Sequence, residues 1–267
     1  MELAAQLEEV AIDIVRTAGA LLTNRPDSLV FETKSSAVDV VTEMDRASEA
    51  LVANYLARHR PGDGLLGEEG ADRLSETGIT WIVDPIDGTV NYLYGLPGWN
   101  ISIAAARDGQ TLAGAVFAPL LDGGLLWSAH KGGGAWLRRG RSEPKAVRAN
   151  ANVPLHLALL ATGFSYSTQT RTKQGARFAK LIPQVRDIRR MGAAAVDLCL
   201  VASGMVDGYF EEELSPWDLA AGELIATEAG ALVTNGVGGK AGRDMVIAAH
   251  PSLHREIVSL LTSVAGE

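Results

Sequence analysis

Apolar residues recur at helical spacing from the start of the chain, at Leu3, Leu7, Val10, Ile14, Ala18 and Leu21. The pattern predicts an amphipathic helix that stops before Pro26. Leu29 to Thr33 reads as a short strand, and Ala47, Leu51 and Tyr55 mark a second helix. Thr42 with Asp45 three positions on has the form of a capping box, with Asp in place of Glu or Gln. From residue 64 the period shortens. Gly64 to Gly67 is a brief apolar run, and Trp81 to Val83 read as a buried strand that Pro85 ends, since proline donates nothing to a ladder. Ile101 to Arg107 and Leu112 to Ala118 flank Asp108-Gly109, a strong hairpin signal. Leu125 to His130 and Ala135 to Arg139, punctuated by Gly123-Gly124 and Gly132-Gly133-Gly134, extend this into an antiparallel meander.

Beyond residue 150 strands alternate with helices. Leu157 to Thr162, Asp207 to Glu211, Ala231 to Thr234 and Met245 to Ala248 read as strands. Gln174 to Leu181, Ala193 to Ala202, Trp217 to Glu228 and Ser252 to Leu261 read as helices. Such alternation implies a parallel or mixed sheet with helices packed on it. No repeat, low-complexity segment or linker interrupts the chain, so its two halves should form one compact body with a site between them.

Length and composition narrow the function classes. At 267 residues the chain is near the size at which one core divides, so one or two domains both fit. It is 47% hydrophobic and 21% charged, the balance of a soluble globular protein, and no uncharged run approaches the ~18 residues of a membrane span. Glu2, Glu8 and Glu9 interrupt the N-terminal apolar residues, unlike a secretory signal. A single cysteine, Cys199, in an apolar run, suits a buried inert thiol and a reducing cytoplasm. A net charge of −8 argues against primary nucleic-acid binding. The clusters Arg138-Arg139-Gly140-Arg141 and Arg189-Arg190 read as solvated rims.

The chemistry concentrates in Trp81-Ile-Val-Asp84-Pro-Ile-Asp87-Gly-Thr89-Val-Asn-Tyr92. A strand end, an acid, a turn, a second acid and a helix start follow one another, so carboxylates and helical N–H groups converge. Asp-Pro and Asp-Gly are also ordinary turn pairs, and Asp87 equally suits capping the helix that follows. Glu68 and Glu69 are adjacent, so on a strand one would point inward, and Glu68 is our choice. If Glu68, Asp84, Asp87 and Asp218 meet, each pair of bare carboxylates at ~4 Å repels by about 4 kcal/mol at an effective dielectric of 20. Such a cluster needs cations or raised pKa values, and all-oxygen ligands favour Mg²⁺, Mn²⁺ or Ca²⁺ over zinc. Other chemistries fare worse. Pro251 separates His250 from His254, no nucleophilic-serine or P-loop motif is present, and the glycines from Gly236 to Gly242 precede a strand.

Lys34-x4-Asp39-x2-Thr42-x2-Asp45, Gly67-Glu68-Glu69, the segment from Trp81 to Tyr92, and Trp217-Asp218-x3-Gly222-x5-Glu228-Ala-Gly230 together resemble the inositol monophosphatase family. The Asp-Pro-Ile-Asp-Gly-Thr element is the most specific of these. The resemblance implies an α/β (α+β) fold, the layered α-β-α-β-α sandwich of the inositol monophosphatase and fructose bisphosphatase type. It implies an N-terminal lobe, residues 1–148, with most metal ligands, and a C-terminal lobe, 149–267, supplying Asp218 and the substrate pocket. Glu68, Asp84 and the Ile86 carbonyl would hold one Mg²⁺, and Asp84, Asp87 and Asp218 a second, with a third near Glu68. Gly88 and Thr89 would grip phosphate, Asp45 would bond the Thr89 hydroxyl, and Thr89 and Glu68 would orient the attacking water. Ala194 and Glu211 would line the pocket for substrate hydroxyls.

The implied activity is Mg²⁺-dependent hydrolysis of inositol monophosphate, a small phosphorylated polyol, by a homodimer. Fructose 1,6-bisphosphate, 3′-phosphoadenosine 5′-phosphate and histidinol phosphate are the alternative substrates of relatives sharing the metal core. Asn91-Tyr92 leans toward the inositol branch. Some members partner the transcription machinery instead, a different class of role.

Overall fold

The computed structural model describes residues 2–265. The first part of the chain contains α1 (Glu2–Thr23), β1 (Phe31–Thr33), β2 (Val40–Thr42), α2 (Glu43–His59), β3 (Gly64–Gly67), β4 (Thr80–Asp87), α3 (Thr89–Tyr94), β5 (Asn100–Arg107) and β6 (Gln110–Ala118). After these come β7 (Leu125–His130), β8 (Ala135–Arg139), β9 (Lys145–Ala146), β10 (Leu159–Thr162), α4 (Thr168–Leu181), β11 (Asp187–Arg189) and α5 (Ala194–Ala202). The chain closes with β12 (Gly208–Glu211), α6 (Pro216–Glu228), β13 (Leu232–Thr234), β14 (Val246–Ala249) and α7 (Pro251–Ala265).

Strands β3 to β9 lie in sequence order in a seven-stranded sheet, antiparallel except for the β3–β4 pair. The Asp108-Gly109 turn joins β5 to β6 with both residues at positive φ, 51° and 72°, the geometry that such a pair favours. A second sheet has the order β11-β10-β12-β14-β13 and is mixed, parallel at β10–β11 and β10–β12 and antiparallel elsewhere. Period-two alternation then sets the layers. On β5, Ile101, Ile103 and Ala105 pack with α1, while Ala104 packs toward α5 and α6. On β12, Tyr209 faces that central helical layer and Phe210 faces α7. The result is the α-β-α-β-α sandwich, with α1 and α2 outside one sheet, α5 and α6 between the sheets, and α4 and α7 outside the other.

The short strands β2, β9 and β11 carry no periodic signal and lie outside the elements the sequence predicts, and three further elements depart from the periodicity reading. Strand β4 runs through Pro85 to Asp87, because its register against β5 shifts between Asp84 and Asp87 and leaves the proline where no ladder amide is required. Helix α4 begins at Thr168, capped by Ser167, since its first turns are polar and exposed and carry no apolar signal. Helix α2 is turned relative to expectation. Ala47 is exposed and Leu51 and Tyr55 are half-buried, whereas the buried face is Met44, Asp45, Ser48, Glu49, Val52 and Leu56. Half of that face is polar, so a hydrophobic stripe could not reveal it.

Candidate active site

Residues three apart on a regular strand point to opposite faces. The register shift in β4 removes that constraint, and Asp84 and Asp87 both line one cleft of about 760 Å³. Asp218 joins them from the first turn of α6, where its Oδ2 accepts the Ser215 amide at 2.6 Å in a reciprocal capping box. One carboxylate oxygen from each of Asp84, Asp87 and Asp218 lies within 4.8 Å of the other two.

Each acid is anchored by backbone. Asp84 Oδ1 accepts the Ile86 amide at 3.0 Å. Asp87 caps a helix, but that helix is α5 and not the α3 that follows it. Its Oδ1 accepts the Ala194 amide at 3.2 Å, and its Oδ2 accepts the Ala195 amide at 2.8 Å and the Asn100 side-chain amide at 2.9 Å. Asp45 caps α2, accepting the Thr42 amide at 2.8 Å, and its other oxygen accepts the Thr89 hydroxyl at 3.0 Å. The Ile86 carbonyl is also 3.0 Å from that hydroxyl. Capping and site-building are therefore one arrangement at Asp45, Asp87 and Asp218, with the N-termini of α2, α5 and α6 supplying donors and positive ends of dipoles.

Burial acts on all these acids. It pushes Asp84 well above the usual carboxylate range, with Glu68, Asp87 and Asp218 adding to the effect. It raises Asp218 to about 8, with help from Asp87, and Asp87 to about 6 against the Asn100 and Ala195 hydrogen bonds. Asp45 rises to about 6 through burial, opposed by its Thr42 and Thr89 bonds. Glu211, at the end of β12, rises to about 7 through burial while its Oε2 accepts the Tyr209 hydroxyl at 2.7 Å. An all-oxygen, buried and mutually repelling set fits a hard divalent cation such as Mg²⁺, Mn²⁺ or Ca²⁺.

Glu68, Ile86, Gly88, Thr89, Ala194 and Glu211 line the same cleft, and Asp45 lies behind it, reaching it through Thr89. Glu68 is outside the three-aspartate group and pairs with Lys34 Nζ at 2.9 Å. Its neighbour Glu69 meets the same ammonium at 2.5 Å, because β3 ends at Gly67 and both acids occupy a turn instead of alternating along a strand. The Arg189-Arg190 pair also divides. Arg189 pairs with Asp187 at the surface, while Arg190 lines the cleft with Arg243 and Lys34, giving cations around an acidic floor.

Sequence periodicity gave no signal for Asp197, which is buried in α5 and has neither carboxylate oxygen bonded among the described residues. Burial, with Glu211 and Asp87 nearby, pushes it well up. Asn91 donates to the Met191 carbonyl at 2.9 Å, tying α3 to the segment before α5. His250 and His254 have separate partners, Ser252 and Thr234. The glycines from Gly236 to Gly242 form a turn before β14, with Asn235 Oδ1 accepting the Val237 and Gly239 amides.

The sequence model of the inositol monophosphatase family matches residues 3–265. The inositol-1-monophosphatase of Mycobacterium leprae is 44% identical, over 87% of this chain and 81% of its own. A Pasteurella multocida protein named Nus factor SuhB is 37% identical, over 94% of this chain and 93% of its own. The solved structure of Mycobacterium tuberculosis SuhB superposes with a TM-score of 0.83 at 40% identity, covering 98% of each chain.

Proposed function

Because this chain belongs to the inositol monophosphatase family, we propose that it hydrolyses inositol monophosphate to inositol and phosphate, in the cytoplasm, as a Mg²⁺-dependent homodimer. The observation that carries the reading is the convergence of Asp84, Asp87 and Asp218 within 4.8 Å beside the Thr89–Asp45 hydrogen bond. Asp84, Asp87 and Asp218 would hold one ion, and Glu68, Asp84 and the Ile86 carbonyl another, with a third near Glu68. A bound Mg²⁺ supplies positive charge for the phosphate and Lewis acidity that promotes ionisation of water.

The remaining work falls to the chain. Thr89 Oγ1 has one proton and two acceptors within 3.0 Å, Asp45 Oδ1 and the Ile86 carbonyl. Whichever it serves, the hydroxyl keeps lone pairs that can take a hydrogen bond from an approaching water and aim it. Glu68, which lines the same cleft, shares that task, and Gly88 and Thr89 hold the phosphate. Glu211 and Ala194 accept the polyol, where buried polar groups discriminate against analogues without hydroxyls. We read residues 1–148 and 149–267 as two lobes around this site.

Phosphate release from inositol 1-phosphate should require Mg²⁺ and stop with chelator. Preference in the same assay for fructose 1,6-bisphosphate, 3′-phosphoadenosine 5′-phosphate or histidinol phosphate would overturn the substrate assignment. Sedimentation at working concentration tests the dimer. A second reading, association with the transcription machinery, is favoured by the Pasteurella multocida relative named as a Nus factor. Complementation of a deletion by an inactive Asp84→Asn variant would support that role.

A further inference from the structure

Helix α2 presents three buried polar side chains on one face, Asp45, Ser48 and Glu49, none more than 3% exposed. Spacings of three and four place them side by side. Each holds a different piece of the site. Asp45 holds Thr89, and Ser48 Oγ donates to the Pro85 carbonyl at 3.1 Å, inside the irregular part of β4. Glu49 spans the turn after β3, its Oε2 accepting the Glu69 amide and its Oε1 the Ala71 amide, both at 2.9 Å.

That turn is shaped around the Glu49 carboxylate. A Cβ on Gly67 would sit 2.2 Å from Glu49 Oε2, so any side chain there would have to displace the Glu49 carboxylate from the turn. Across the turn, Asp72 Oδ1 accepts the Gly67 amide at 3.2 Å. Electrostatics argue that the carboxylate is there for geometry. Burial holds Glu49 above the usual carboxylate range against its two amide bonds, and Glu69 and Glu68 lie close enough to add repulsion. A neutral side chain would relieve that repulsion but could not accept two amides with two charged oxygens.

We propose that Glu49 is a positioning residue, fixing the turn of residues 67–71 so that Glu68 faces the cleft in the geometry that binds a divalent cation. The inference rests on the proposed role of Glu68 as a metal ligand. Groups that orient metal ligands typically change affinity by about 10–100-fold when removed.

The test is calorimetric titration of Mn²⁺ into the metal-free full-length protein, wild type, Glu49→Gln and Glu49→Ala, without substrate. Hydrogen exchange of residues 67–71 is measured on the same samples. Glu49→Gln should keep its fold, speed exchange at the Glu69 and Ala71 amides, and weaken Mn²⁺ binding by about 10-fold or more. The Mg²⁺ concentration for half-maximal turnover should rise with it, while KM at saturating Mg²⁺ stays within twofold. Unchanged Mn²⁺ affinity in both variants, with faster exchange, would make Glu49 merely structural and overturn the inference alone. Wild-type protein that binds no Mn²⁺ would overturn the metal reading and this inference with it. If Glu49→Ala fails to fold, Glu49→Gln alone decides.

Discussion

The β3–β4 region buries acidic side chains at both ends, and the two ends are built on opposite principles. At one end, Asp63 is 1% exposed and fully served by the chain. It accepts Arg60 Nε at 2.7 Å, the Thr77 hydroxyl at 2.6 Å and Trp81 Nε1 at 2.9 Å. Burial would raise it, but these donors, Arg60 above all, hold it below the ordinary carboxylate range. At the other end Asp84 is equally buried, its carboxylate neighbours are Glu68, Asp87 and Asp218, and it is held far above that range. A fold able to neutralise one buried aspartate leaves three others in mutual repulsion. The first arrangement stabilises the chain, and the second prepares it for a cation from solution.

The sharpest way to break this comparison is to remove one charge from each end. Asp84→Asn should lower kcat/KM by about 10³-fold or more, since metal-derived stabilisation is worth several kcal/mol. In the metal-free protein it should raise Tm by about 2–4 °C, equivalent to about 1 kcal/mol of relieved repulsion. Asp63→Asn should do the reverse, costing about 3–5 kcal/mol in denaturant unfolding while kcat/KM per folded molecule stays near wild type. Equal stability losses in both variants would erase the distinction.

The next effect concerns Thr89 and Asp45, which share one hydrogen bond. Thr89→Ala and Asp45→Asn should each lower kcat by about 10²–10⁴-fold, with the double variant little worse than either. Additive losses in steady-state assays would separate them into independent roles, and lost stability with normal kcat would reduce Asp45 to a helix cap.

The pH dependence of metal-free stability is smaller and its sign follows from the shifts. Asp87 is held at about 6, Asp218 at about 8 and Asp84 above the ordinary value of 3.8. Between about pH 4 and 8 the folded state therefore binds more protons than the unfolded one, so stability rises as pH falls through that window. Asp63, held below 3.8, works the other way, and its contribution is lost only as pH falls through its lowered pKa. Metal-free protein should melt higher at pH 5.5 than at pH 8, and saturating Mg²⁺ should abolish or reverse the difference. A metal-free Tm that climbs from pH 5.5 to 8 would contradict the assignment of repelling acids.

The smallest expected effect is on substrate choice. Glu211→Gln should reduce kcat/KM for inositol 1-phosphate by about 10-fold while sparing an aryl phosphate that has no hydroxyls to pair. Equal decline on both would remove Glu211 from polyol recognition.

These two ends also differ in how readily the sequence discloses them. Asp84, Asp87 and Asp218 stand out not through the pairs Asp-Pro and Asp-Gly, which are ordinary turn chemistry, but through the succession of strand end, acid, turn, acid and helix start together with the resemblance that adds Trp217-Asp218. The meander and alternating elements follow from period and turn chemistry. Asp63 gave no signal. Its partners Arg60, Thr77 and Trp81 mean nothing until the β3–β4 pairing brings them together. The same holds for Glu49, whose partners are backbone amides 20 and 22 positions away. Asp87 was legible as a cap but not as the cap of α5, more than 100 residues on. The passage of β4 through Pro85 depends on a register shift that only the neighbouring strand can reveal.

The claim that the acids around Asp84 await a divalent cation is tested most directly by melting the chelator-treated wild-type protein at pH 8 against increasing Mg²⁺, with Asp84→Asn alongside. A bound ion at 100 times its Kd adds about 2.7 kcal/mol, so the wild-type Tm should climb by several degrees. Asp84→Asn should start higher and respond weakly. A wild-type Tm that ignores both chelator and Mg²⁺, or a variant that responds as strongly as wild type, would contradict it.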